Sequence, residues 1–204
     1  MARLGWASVA PAASWRSVNR EKRMSASNSA ARPLASDVAW PLTLAAATIL
    51  GTLATACMMP FVGLAVVAAA TMRAPAMLVT IVGAWAANQL LGFGLLGYPL
   101  EGYALMWGAA LGGASVAAGL LARAAFNGGV TLPRALAVFA AAFVLDEALL
   151  YAFALAVGGT STFTSAIILR LFANDALWCG VLAGLHVVLT RAAPRWYAAQ
   201  PRAA

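Results

Sequence analysis

The chain has 204 residues and a formal charge of +7; 63% of its residues are hydrophobic and only 9% are charged. Soluble domains carry about 25% charged residues, so the composition excludes a water-soluble enzyme and predicts an all-α, polytopic integral membrane helix bundle. The 13 basic residues would suggest nucleic acid in a soluble protein, but almost all lie outside the apolar runs, where they act as topology signals and imply no nucleic-acid partner.

Residues 1–37 scatter Arg3, Arg16, Arg20, Lys22, Arg23 and Arg32 among Ser, Ala and Asn, without an apolar stretch long enough for a signal peptide. A disordered, basic, cytoplasmic segment is expected there. Met24 opens the run MSASNSAARPLASD directly ahead of the first apolar segment, and a start of translation there is the expectation.

Six apolar runs follow, at Val38 to Cys57, Pro60 to Met72, Ala76 to Gly97, Tyr103 to Ala122, Pro133 to Val157 and Phe163 to Thr190. Membrane barrels would alternate apolar and polar residues, so all six read as helices. The second is short: about 13 to 16 residues at 1.5 Å each reach about 20 to 24 Å, against a hydrocarbon core of about 30 Å. Charge argues that it crosses. With six spans and an inside amino terminus, Arg73, Arg123, Arg134, Arg191, Arg195 and Arg202 all fall inside, while the outside loops hold only Glu101. A short or tilted span that thins the bilayer locally is therefore expected. The expected plan is six transmembrane helices over residues 38–190, both termini inside, with 191–204 as a cytoplasmic tail in a cell inner membrane. Tyr98 and Tyr103 would flank the outer boundary, and Trp40, Trp196 and Tyr197 the inner one.

Ionised side chains near the bilayer centre cost about 2.5 to 3.5 kcal/mol each on insertion scales, so each needs a partner or a purpose. The fifth run places Asp146 and Glu147 near its middle; the sixth places Asp175 near its middle and Arg170 about two turns from its outer end. Asn88 and Gln89 sit just past the centre of the third. Rise per residue puts all of them in the central and outer layers. The plainer reading is a buried salt bridge from Arg170 to one of the carboxylates. Three carboxylates face one guanidinium, however, so protons, a cationic or hydrogen-bonding solute, or a partner's arginine would have to balance the rest. A solute entering from outside would meet Asn88, Gln89, Asp146, Glu147, Arg170, Asn174 and Asp175, with Trp85 or Trp178 as a stacking face.

The remaining chemistry is sparse. His186 is the only histidine, which removes HExxH sites, histidine boxes and bis-histidine haem ligation within one chain; no cofactor or metal is expected. Cys57 with Met58 and Met59 forms a soft cluster that could touch a soft metal, and its depth differs too much from that of Cys179 for a disulfide. Small residues recur every four positions at Ala47, Gly51 and Thr55, at Gly108 and Gly112, and at Ala110, Ala114 and Ala118. Such stripes let helix backbones approach closely.

In its plan of six helices, inside termini, a small-residue stripe on the first helix and an outward pocket, the chain over residues 38–190 resembles the substrate-binding S-components of energy-coupling-factor vitamin transporters. The resemblance is architectural and carries no vitamin motif. It implies a non-enzymatic solute or vitamin uptake protein whose first helix, at Ala47, Gly51 and Thr55, docks on a coupling membrane protein driven by ATPases. The chain has no GxxxxGK[ST] loop of its own. Alternatives are a non-catalytic assembly factor or structural subunit of a larger membrane complex, proton or ion translocation by Asp146, Glu147 and Asp175, and a rhomboid-like protease. For the last, Gly113, Ala114 and Ser115 run into Val116 rather than Gly, and Ser115 and His186 lie at different depths.

Overall fold

A computed structural model describes residues 34–54 and 59–197. The described residues within 35–204 form one unit, and they are helical wherever they are regular. The helices are α1 (Leu34–Ala54), α2 (Phe61–Thr71), α3 (Ala74–Leu90), α4 (Gly102–Ala125), α5 (Leu132–Val157), α6 (Ser165–Ala192) and a closing turn, α7 (Pro194–Tyr197). A π-helical segment, Leu91–Leu95, prolongs α3. Four of these helices are long and apolar enough to cross a membrane: α3 with its π segment, α4, α5 and α6. This is the organisation of a membrane-embedded helical protein, its large exposed hydrophobic side chains being mostly Leu and Val. With no water in a bilayer core, only a helix satisfies its own backbone there.

The local signals that start and stop these helices are legible. Thr131 caps α5 by accepting from the Arg134 amide at 3.4 Å, with Pro133 in the first turn, and Thr164 caps α6 by accepting from the Ile167 amide at 3.3 Å. The α5 helix ends at Gly158, whose φ of +96° is open to glycine but strained for other residues.

The bundle is organised around α2. Its residues Phe61 through Ala69 are all buried, and α3, α4, α5 and α6 each lie against it. At about 1.5 Å per residue an 11-residue helix reaches only about 16 Å. The thinning expected of the bilayer loses its reason here, because the sides of α2 face protein rather than lipid. An apolar helix without a polar face belongs in a core. The α1 helix turns the stripe Trp40, Leu44 and Thr48 toward the core, and the Trp40 indole donates to the Thr71 hydroxyl at 2.9 Å. Trp40 is thus a core residue, packed on His186 with ring centroids 4.6 Å apart, rather than a member of an interfacial belt. Tyr98 and Tyr103 do stand half exposed at the opposite end.

Candidate functional site

Two polar regions stand apart in the bundle. The first lies at the amino terminus of α2. Asp175 of α6 is buried, and its Oδ1 accepts from the Gly63 amide at 2.8 Å; the Val62 amide also donates to this carboxylate. A helix leaves its first amides without internal partners, and burial would make them costly. Asp175 therefore caps α2 from a neighbouring helix, its negative charge set against the positive end of the helix dipole. The contact requires a glycine: a Cβ on Gly63 would come within 2.7 Å of the Asp175 carbonyl oxygen. Asp146 and Glu147 of α5 are close enough to share this electrostatic environment. Asp146 is buried and its Oδ1 has no hydrogen-bond partner among the described residues.

The expected guanidinium is not there. Arg170 is exposed, and no salt bridge joins it to a carboxylate among the described residues. Five residues separate it from Asp175, about 140° around a helix of 3.6 residues per turn, so when Asp175 turns inward Arg170 turns out. Asn174 and Trp178 are partly buried on α6, and the Trp178 indole nitrogen is buried without a partner among the described residues.

The second region lies where α3 passes into its π segment. A pocket of about 400 Å³ opens there, with Asn88 and Gln89 facing Phe93, Tyr98, Tyr103 and Trp107. Neither amide has a hydrogen-bond partner among the described residues. The π turn is built on Gly92, over which the Tyr98 ring closes so tightly that a Cβ would meet it at 2.9 Å; π bulges occur often at functional sites. The aromatic wall is braced from behind. Trp107 stands edge-on to Phe153 of α5 at 5.1 Å, and the Tyr103 hydroxyl donates to the Gly158 carbonyl at 3.3 Å.

The acids do not line this pocket, and α3 packs on α2 and α4 rather than closely on α5 or α6. The sequence-based set therefore divides: Asn88 and Gln89 stay together with aromatics, while Asp146, Glu147 and Asp175 gather at α2. Trp85 serves the helix contact, its indole donating to the Gly108 carbonyl at 2.7 Å while its ring fills the notch at Gly112. Gln89 lies over Gly108 in the same way. Sequence reasoning missed Phe93 and Trp107 and placed Tyr98 and Tyr103 only at the boundary. The available signals were the glycine-rich GFGLLGYP after Asn88 and Gln89, and Tyr103 and Trp107 four residues apart on one helix face.

Of the stripe on α1, Ala47 packs partly against the chain's own core, Gly51 lies within the helix, and Thr55 lies outside the described residues, as does Cys57. Ser115 is buried and spends its hydroxyl on the Leu111 carbonyl at 2.7 Å, whereas His186 lies against Trp40. Comparison with protein-family models, curated proteins and solved structures finds no match to the chain.

Proposed function

We propose that the chain is a membrane-embedded solute-binding protein for uptake, with six spans, both termini inside, and a binding site at the α3–α4 pocket open to the outer face of a cell inner membrane. The observation that carries this reading is the pairing of two unpartnered amides with four aromatic rings around about 400 Å³. Such a volume lies within the usual range for small-molecule sites, which combine apolar walls with a few placed polar groups. The charge-free lining favours a small, uncharged, ring-bearing solute: aromatic faces stack on it, and Asn88 and Gln89 offer both donors and acceptors. The pocket lies at the end of α3 and the start of α4, the end bearing Glu101 and away from Arg73 and Arg123, which supports an outer location by the positive-inside rule. An S-component-like role, with a coupling protein and ATPases supplying energy, accords with this layout.

The test is mass spectrometry of small molecules retained by the chain purified in mild detergent. The wild type is expected to carry a small molecule that Asn88→Leu/Gln89→Leu loses while remaining folded. A wild type with nothing bound, or a ligand equally retained by the double variant, would count against uptake. A second reading, as a subunit of a larger membrane complex, is favoured by one observation: Arg170 is exposed on α6 with no carboxylate partner among the described residues. Co-purification of a membrane protein that Arg170→Ala releases would support it.

A further inference from the structure

An apolar groove of about 490 Å³ runs between α2, α5 and α6, with Val66 and Ala70 as its floor, Phe126 and Ala135 on one bank, and Ala183 and Val187 on the other. It exists because the backbones of α5 and α6 scarcely approach each other; Phe172 of α6, against Phe139 and Phe143 of α5, is the wedge that joins them.

The ends of the two banks are basic. Arg134 precedes Ala135, and Arg191 follows Val187 by one helical turn, on the same face. Both are exposed, and neither forms an ion pair among the described residues. Arg134 gives one hydrogen bond to the Gly129 carbonyl at 2.9 Å, leaving its other donors free. Basic rims beside clefts between membrane helices suit anionic headgroups.

We infer that this groove holds an acyl chain of an anionic phospholipid, with the lipid phosphate between Arg134 and Arg191. The inference rests on the chain being membrane-embedded and is independent of the α3–α4 pocket. The test uses the full chain in detergent, titrated with dioleoyl phosphatidylglycerol or dioleoyl phosphatidylcholine, with bound lipid counted by native mass spectrometry. One phosphatidylglycerol is expected to bind more tightly than phosphatidylcholine. Arg134→Gln/Arg191→Gln should weaken the phosphatidylglycerol complex about 25-fold, at about fivefold for each arginine near a membrane surface, and leave phosphatidylcholine unchanged. Ala183→Trp, at an exposed position on the bank, should displace both lipids. Equal binding of the two lipids by the wild type, undiminished phosphatidylglycerol on the arginine double variant, or a dimer that Ala183→Trp dissociates would each overturn the assignment. The arginine variants are at exposed positions, so their binding remains readable if Ala183→Trp fails to fold.

Discussion

Two buried aspartates of similar depth do different things, and the difference is measurable. Asp175 satisfies amides of α2, whereas the Asp146 Oδ1 has no partner among the described residues. Removing an acceptor from buried donors costs about 1 to 3 kcal/mol, so Asp175→Ala should lower thermal stability in detergent by that amount. Asp146→Asn, which breaks no hydrogen bond to that oxygen, should leave the melting temperature unchanged or raise it. The reverse order would show that the cap is not what the carboxylates are for. Gly63→Ala tests the same junction from the other side: with a Cβ only 2.7 Å from the Asp175 carbonyl oxygen, the backbones must separate. Overpacking of this kind costs about 1 to 3 kcal/mol, and differential scanning fluorimetry would register it as a lower melting temperature.

At the scale of elements, the notches on α4 determine how α3 sits. Gly108, Gly112 and Gly119 receive Gln89, Trp85 and Ile81, side chains at every fourth position along an antiparallel neighbour. Gly108→Ala would press on the Gln89 amide, the movable end of a flexible side chain. It is expected to reduce solute retention by the pocket at a modest cost in stability, because the buried clash is relieved by moving the end of Gln89 rather than backbone. Gly112→Ala meets the rigid indole of Trp85 at 2.8 Å and should lower the melting temperature more than Gly108→Ala does. Much of this was written in the sequence. The runs Pro133 to Val157 and Tyr103 to Ala122 coincide closely with α5 and α4, because apolar composition and Pro, Thr and Gly punctuation fix where a membrane helix starts and stops. What each helix turns toward its neighbours was not. Depth along an axis follows from counting residues, but rotation about it does not when every face is apolar, and so counting alone puts Arg170 and Asp175 in one chamber although about 140° separates them around the helix, with Arg170 exposed and Asp175 buried.

For the whole molecule, the unusual decision is to spend the most apolar short segment as a buried axis rather than as a lipid-facing span. The run Pro60 to Met72 reads in the sequence as a short crossing, since hydropathy measures avoidance of water and does not distinguish lipid from protein as the alternative. Only the surrounding helices resolve that ambiguity, together with an acid from α6 to close its open end. Around this axis, one end of the bundle carries the aromatic and amide groups of the α3–α4 pocket and the other carries Arg134 and Arg191. The direct test is labelling by a membrane-impermeant thiol reagent on intact cells, using single-cysteine variants in a background where Cys57 and Cys179 are replaced by Ala. Asn88→Cys should react from outside and Arg191→Cys should not until the membrane is permeabilised. Protection of Asn88→Cys in intact cells together with external labelling of Arg191→Cys would contradict an outward-opening pocket.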